Sequence, residues 1–381
     1  MILSRLKLTN WRNFRNVDIK LGDRVFIVGP NAAGKSNLLD AFRFLRDIAK
    51  PDGGLQYALK RRQGLSKVRC LAARNQPDVG VEVEVRENGA GPVWTYAVHI
   101  TQQQRGDRLP LLRSEVVTRD GREILRRPER ADSLDEVRRS QTSLEQINAN
   151  RRFRELARFF QRIQYLHLVP QIVRNPQAFQ GPNGGDDPFG RSFLEQMTKT
   201  PRKTLNARLK RVEHVLKAVV PQLEDLQLVK DEMGVPHLET SYWHWRPNAA
   251  KQQEDQFSDG TLRLIGLFWA LLDGDAPLLL EEPELSLHVE IVKRIPNLLS
   301  QLQRHRKRQV ILTTHSWDLL SDKGVGGEET VLLTPGKEGT NAILAGDDKI
   351  LALKLQHGLS VADAALPRTN PQNIEQLQLK F

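Results

Sequence analysis

Four short stretches of this chain carry residue types suited to handling a nucleoside triphosphate. Gly29-Pro30-Asn31-Ala32-Ala33-Gly34-Lys35-Ser36 fits the pattern G-x-x-x-x-G-K-[ST] without exception. In such a loop successive backbone N–H groups and the next helix N-terminus face phosphate oxygens, the lysine neutralises the terminal phosphates, and the hydroxyl ligates Mg²⁺. Gly29, Asn31, Gly34, Lys35 and Ser36 are therefore the candidate ATP-binding residues, with Gly34 allowing close backbone approach. Further on, Pro277-Leu278-Leu279-Leu280 runs into Glu281-Glu282. A buried strand there delivers both carboxylates to its C-terminal end, where ligands collect in parallel α/β sheets. Glu281 suits holding Mg²⁺ together with Ser36, and Glu282 suits polarising the attacking water as general base. Two adjacent carboxylates repel each other strongly without a cation.

Gln309-Val310-Ile311-Leu312-Thr313 is another short apolar run, ending near His315, which is placed to hydrogen-bond the γ-phosphate or the attacking water. Phe257-Ser258-Asp259-Gly260-Thr261 opens an expected helix over Leu262 to Leu272. By composition Ser258 is a helix N-cap; the same small hydroxyl and glycine at a helix N-terminus also bind phosphate. One chain usually cannot fold this element over its own phosphate loop, so Ser258, Asp259 and Gly260 are expected to meet the γ-phosphate of a second copy. That predicts an ATP-dependent two-fold dimer or higher homo-oligomer.

The elements that must position these residues follow from pattern. Strands are expected over Leu3 to Leu8, Val17 to Leu21 and Arg24 to Val28, then a helix over Ser36 to Asp47 with Leu38, Leu39, Phe42 and Leu45 on one side. Pro51 to Arg74, with the run Lys60-Arg61-Arg62, reads as a surface connection, Val81 to Val85 and Val93 to Ile100 as paired strands, and 110 to 130 as a second pair turning near Asp120-Gly121. A helix is expected over Leu144 to Ile163, rich in Arg151, Arg152, Arg154, Arg158 and Arg162, then a strand over Tyr165 to Val169 and a polar loop from Gln177 to Asp187. A second basic helix runs from about Pro201 to Val220, with Arg202, Lys203, Arg208, Lys210 and Arg211, followed by a hairpin over Leu226 to Trp245. The last third alternates helix and strand: Leu262 to Leu272, Pro277 to Glu281, His288 to Leu302, Gln309 to Thr313, Glu329 to Leu333. Such alternation implies parallel strands with crossover helices. From Ser36 to Ser258 there are 258 − 36 = 222 positions, too few for a long coiled-coil arm out and back at ~1.5 Å rise per residue. The expected organisation is 1–140 with the phosphate loop and antiparallel strands, 141–245 as an inserted basic helical lobe, and 246–381 with the signature, acidic pair and histidine.

Composition bounds the partners. With 57 Lys and Arg against 46 Asp and Glu the chain carries +11, and its pI is near 9.8. Such a balance attracts polyanions by phosphate contact and counterion release, so DNA is a plausible partner; a solvated basic helix face gives the same composition. The single cysteine, Cys70, allows no internal disulfide and no cysteine-based zinc cluster, and a reduced, cytoplasmic setting is expected. The alternating start Leu3-Ser4-Arg5-Leu6-Lys7-Leu8 is unlike a secretion signal, and no segment has the roughly 18 uninterrupted apolar residues of a bilayer span, so no membrane role is expected.

Taken in chain order, the four stretches resemble the ATP-binding-cassette ATPases of the group containing SMC, RecF and the overcoming-lysogenisation-defect proteins. Leu8-Thr9-Asn10-Trp11-Arg12-Asn13-Phe14 is similar to that group's N-terminal strand motif, and Glu281-Glu282-Pro283-Glu284 with Leu287-His288 resembles the overcoming-lysogenisation-defect version. The resemblance covers the first 50 residues and roughly 250 to 335. It implies an α/β fold, an ABC-type P-loop core of mixed sheet and flanking helices with inserted antiparallel strands and a helical lobe. Gln171 is the candidate for the family's Q-loop glutamine. Overcoming-lysogenisation-defect nucleases continue into a metal-binding TOPRIM domain, whereas 381 − 315 = 66 residues follow His315 here and Asp347-Asp348 alone make no nuclease site. The resemblance therefore implies a stand-alone, Mg²⁺-dependent ATPase that regulates a separate effector, a nuclease or toxin, in anti-phage defence. The alternative is a RecF-like DNA-binding ATPase of repair or recombination, gripping duplex through the basic helices. A cassette energising a separate permease is disfavoured by the insert size and the acidic pattern.

Overall fold

Where apolar residues run without interruption, the chain forms strands buried on both faces; where they alternate with polar ones, it forms strands with one face toward solvent. Val25-Phe26-Ile27-Val28 is of the first kind, and Leu3, Leu6 and Leu8, interleaved with Arg5, Lys7 and Thr9, are of the second. The computed structural model describes residues 1–74, 76–87, 91–103, 108–179, 187, 189–243 and 251–370. Among these the two kinds of strand sort into two six-stranded sheets.

The sheet that carries the phosphate loop has the order Gly339–Leu344, Thr330–Gly336, Arg24–Val28, Val310–Thr314, Leu278–Glu281, Gln164–Leu166. Neighbours are parallel except at the first pair. Alternate residues feed two different cores, as a period of two requires. Val25, Ile27, Leu279, Ile311 and Val331 face helix Lys35–Ala49, while Phe26, Val28, Leu278, Leu280, Val310 and Leu312 face helix Asp259–Leu272.

The other sheet is antiparallel throughout, in the order Phe14–Lys20, Ile2–Trp11, Val79–Arg86, Val93–Gln102, Pro110–Arg119, Arg122–Arg127. The first two strands of the chain thus belong with the later antiparallel hairpins, across helix Lys35–Ala49 from the parallel sheet. A smaller sheet joins Leu223–Lys230, Pro236–Tyr242 and Lys251–Gln253. The end of the hairpin expected to reach Trp245 lies in 244–250, and most of the loop expected over Gln177 to Asp187 lies in 180–186, both outside the described residues.

Several expected elements differ. The helix over Leu144 to Ile163 is a 3₁₀ turn, Ala149–Phe153, followed by helix Arg154–Gln161. Before that turn the chain is held by side chains, the Glu115 carboxylate accepting from the amides of Ser143 and Leu144 at 2.7 and 3.1 Å and Asn150 Nδ2 donating to the Leu144 carbonyl at 3.0 Å. Within the middle segment, Gln164–Leu166 forms the edge strand of the parallel sheet. The stretch from Pro51 to Arg74 folds inward as short helices Leu55–Lys60 and Leu65–Val68, with Leu55, Ala58, Leu59, Leu65 and Val68 buried. Arg62 is buried there too, bound to Asp40 at 2.7 Å and Asp47 at 2.9 Å on the phosphate-loop helix. Burial works against these charges, yet mutual attraction holds Asp40 below the usual carboxylate range and Arg62 above its own. The helix over His288 to Leu302 is split into Val289–Val292 and Ile295–Arg306; Pro296 sits in the first turn of the second, where its missing N–H costs nothing. Among the described residues no helix is long and apolar enough to cross a membrane.

Candidate ATP site

The phosphate loop follows strand Arg24–Val28, and Gly34 caps helix Lys35–Ala49 with φ 97°. Glycine is required there twice over. The left-handed φ disfavours any side chain, and a Cβ would lie 2.3 Å from Asn13 Nδ2. Asn13 comes from the tight turn between the first two strands. Its Nδ2 donates to the Ala33 carbonyl at 2.7 Å and to Thr340 Oγ1 at 2.8 Å, and its Oδ1 accepts from Asn37 Nδ2 at 2.8 Å. Trp11 Nε1 donates to the Asn37 carbonyl at 2.8 Å. The antiparallel sheet thereby props the loop from behind. Lys35 curls over the loop, its Nζ donating to the carbonyls of Gly29 at 3.1 Å and Pro30 at 3.4 Å.

Glu281 ends strand Leu278–Glu281 and lies beside Thr313 in the register. One of its oxygens accepts from Ser36 Oγ, the other from the Tyr165 hydroxyl. Glu282 turns away from the strand with φ 43°, its amide donating to the Thr313 carbonyl at 3.1 Å. A non-glycine residue held at positive φ beside a ligand site is a local cost that the surrounding bonds must sustain. The turn aims the second carboxylate elsewhere: its Oε1 is 3.1 Å from His315 Nδ1 and 4.0 Å from Lys35 Nζ. The adjacent acids are thus separated, Glu281 toward Ser36 and Glu282 between lysine and histidine. The serine hydroxyl and the Glu281 carboxylate are hard oxygen donors at one point. Mg²⁺ takes one or two such protein oxygens beside phosphates and waters, so this donor set fits it.

Ser258 caps helix Asp259–Leu272, accepting from the Thr261 amide at 3.1 Å. Asp259 is held by Arg174 at 2.6 Å and by Gln171 Nε2 at 3.0 Å. Gln171 therefore contacts the signature of its own chain. Gly260 leaves no room for a side chain, since a Cβ would sit 2.9 Å from the Ser286 carbonyl. Among the described residues no hydrogen bond joins Ser258–Thr261 to Gly29–Ser36.

Residues 24–322 match the protein family described as "AAA domain, putative AbiEii toxin, Type IV TA system". The chain belongs to this family. The phosphate loop, the acidic pair and His315 all lie within the matched residues. A head domain of Smc, solved bound to the C-winged helix domain of ScpA, is 13% identical over 90% of this chain and 98% of that one, with a TM-score of 0.54. The Smc head domain with an extended coiled coil from Pyrococcus furiosus, bound to the C-terminal domain of ScpA, is 13% identical over 93% and 98%, with a TM-score of 0.50. At that identity the likeness is one of fold, a mixed α/β arrangement of sheets and flanking helices as in ABC-type ATPases. No curated protein matches the sequence.

In this AAA-family chain the parallel sheet brings together Lys35, Ser36, Glu281, Glu282 and His315, while Gly260 packs against the Ser286 carbonyl. Pattern reading missed three contributors. Asn13 was noticed only within a strand motif, and Tyr165 only as the start of a strand. Glu284 is buried, accepting from Thr314 Oγ1 at 2.5 Å, and among the described residues its other oxygen has no hydrogen-bond partner. Burial pushes its carboxyl above the usual range. The signal for Glu284 was in the chain, two positions beyond the acidic pair; nothing local marks Asn13 or Tyr165.

Proposed function

We propose that the chain binds and hydrolyses ATP with Mg²⁺ in a site completed by a second copy, and that nucleotide state controls a separate effector, a nuclease or toxin, in bacterial anti-phage defence. The observation that carries this reading is the separation of the two acids, one joined to the phosphate-loop serine and the other lying between Lys35 and His315. Gly29, Asn31 and Gly34 present backbone to the phosphates and Lys35 screens their charge. Bound at Ser36 and Glu281, Mg²⁺ supplies Lewis-acid polarisation of the phosphate oxygens. Glu282 takes the proton of the attacking water, and His315, 3.1 Å away, orients that carboxylate and stabilises the charge on the transferred phosphoryl group. Ser258, Asp259 and Gly260, at the N-terminus of helix Asp259–Leu272, serve the γ-phosphate of the partner's nucleotide.

A place in such a two-component system is supported by the family description, whose words are "putative AbiEii toxin, Type IV TA system". A homodimer or larger assembly follows from the proposed composite site, and the single cysteine, Cys70, supports a reduced, cytoplasmic setting. Three of the basic residues considered for DNA are engaged internally: Arg154 with Asn150, Arg162 with Asp275 and Arg208 with Asp273. The test pairs phosphate release, with and without Mg²⁺, with light scattering of Glu282→Gln. Lys35→Ala should abolish nucleotide binding with an unchanged melting temperature, and Glu282→Gln should dimerise only with ATP. Absence of both turnover and nucleotide-driven assembly in folded protein would sink the reading. ATP-dependent, steeply salt-sensitive DNA binding would transfer it to the repair-clamp alternative.

A further inference from the structure

Tyr165 lies on the edge strand Gln164–Leu166, directly opposite Leu279 in the parallel register. Leu279 and Glu281 point to the same face of their strand, two residues apart. The Tyr165 hydroxyl is thereby brought to Glu281, where it donates to the oxygen that Ser36 does not use. The ring is held in turn by the phosphate-loop helix, with the Arg43 guanidinium 4.1 Å from its centroid. Three elements distant in sequence thus meet on one carboxylate: the phosphate loop through Ser36, the edge strand through Tyr165, and the phosphate-loop helix through Arg43 on the ring.

We propose that Tyr165 is a positioning residue for the Mg²⁺ site, holding the Glu281 carboxylate in the orientation that presents its other oxygen to the ion shared with Ser36. The inference rests on the ATPase reading and adds to it a residue outside the four nucleotide-site stretches. The mechanism is that of a hydrogen bond behind a metal ligand, which fixes the ligand's rotamer before the ion arrives and removes the entropy of ordering it on binding. The phenol hydroxyl supplies the hydrogen that the carboxylate, an acceptor only, requires. A phenylalanine keeps the ring and the Arg43 stacking and deletes only the donor.

The experiment compares wild type and Tyr165→Phe by fluorescence of a labelled ATP analogue, titrated with Mg²⁺ and separately in EDTA, with thermal melting as the check on folding. The expected result is an apparent Mg²⁺ affinity weakened about 10-fold or more, in the range typical of lost support to a metal ligand. Binding of metal-free nucleotide should be unchanged, and phosphate release should recover at high Mg²⁺. The same substitution in a Glu281→Ala background should have no further effect on Mg²⁺ affinity, because the carboxylate it positions is gone; a merely structural tyrosine would act equally in both backgrounds. Equal Mg²⁺ titrations for wild type and Tyr165→Phe, or an equal shift with and without Glu281, overturn the inference while leaving the ATPase reading intact. A wild type whose nucleotide binding ignores Mg²⁺ overturns the ATPase reading and the inference together.

Discussion

Glu115 and Glu281 are each bonded to a tyrosine hydroxyl, one in each large sheet, and they differ in what surrounds the rest of the carboxylate. Glu115 lies within strand Pro110–Arg119, fully buried, accepting from Tyr96 at 3.0 Å and from the amides of Ser143 and Leu144, with Arg127 3.7 Å away. Arg127 in turn binds the buried Asp132 at 2.6 Å. Burial still raises the Glu115 carboxyl above its usual range, while the hydrogen bond from Arg127 draws Asp132 down to about 2. Glu281 stands at the end of its strand, only partly buried, and its partners are the phosphate-loop serine and Tyr165. A carboxylate closed in by protein donors ties a loop to a sheet. The same carboxylate and tyrosine at the open C-terminal edge of a parallel sheet can share its charge with a ligand.

The difference can be broken or sharpened by substitution. The largest effect is expected at the open edge: Glu282→Gln should lower ATP turnover by about 10²–10⁴-fold, the usual worth of a positioned general base, with nucleotide binding and melting temperature retained. Phosphate-release kinetics beside equilibrium binding check this. In the closed cluster Arg127→Ala should cost about 3–5 kcal/mol of stability by leaving buried acids unpaired, with nucleotide affinity of the folded fraction unchanged; urea denaturation gives the number.

Acid should act on the same cluster. Because the folded value of Asp132 is depressed, its contribution is complete above its ordinary value of 3.8 and lost as pH falls toward about 2. The full loss is about 2 kcal/mol at 1.36 kcal/mol per pKa unit. Asp132→Asn should flatten the acid limb of the stability curve by that amount relative to wild type. The smallest effect tests the tyrosines against each other: Tyr96→Phe should cost about 1 kcal/mol of stability and leave Mg²⁺ affinity alone, the reverse of what is expected at Tyr165. If Tyr96→Phe altered Mg²⁺ affinity, the distinction between closed and open clusters would fail.

Much of the parallel sheet was legible because its central strands, Arg24–Val28, Val310–Thr314 and Leu278–Glu281, are short runs dominated by apolar residues, a pattern set by burial on both faces. The antiparallel strands were equally legible from alternation, but their assembly into one sheet with the first two strands was not, since alternation names the buried face and not the neighbour. The basic run Lys60-Arg61-Arg62 shows where composition misleads. Charge implied solvent, yet the partners of Arg62 lie 15 and 22 positions earlier, on the face of a helix that this turn folds against. The segment before Ala149 likewise depends on distant side chains, as Glu115 binds the amides of Ser143 and Leu144 from 28 and 29 positions away.

What the sequence by itself determined about this protein is the nucleotide chemistry of the phosphate loop and the delivery of two acids and a histidine to strand ends. These depend on backbone shape and nearest neighbours, which a few consecutive residues encode. The tertiary structure alone decided which acid meets Ser36 and which meets His315, that Asn13 props the loop, and that Tyr165 stands behind Glu281. Those pairings join positions 245, 33, 20 and 116 apart, and only the register of paired strands and the packing of the helix between the sheets bring such distant side chains within hydrogen-bonding reach.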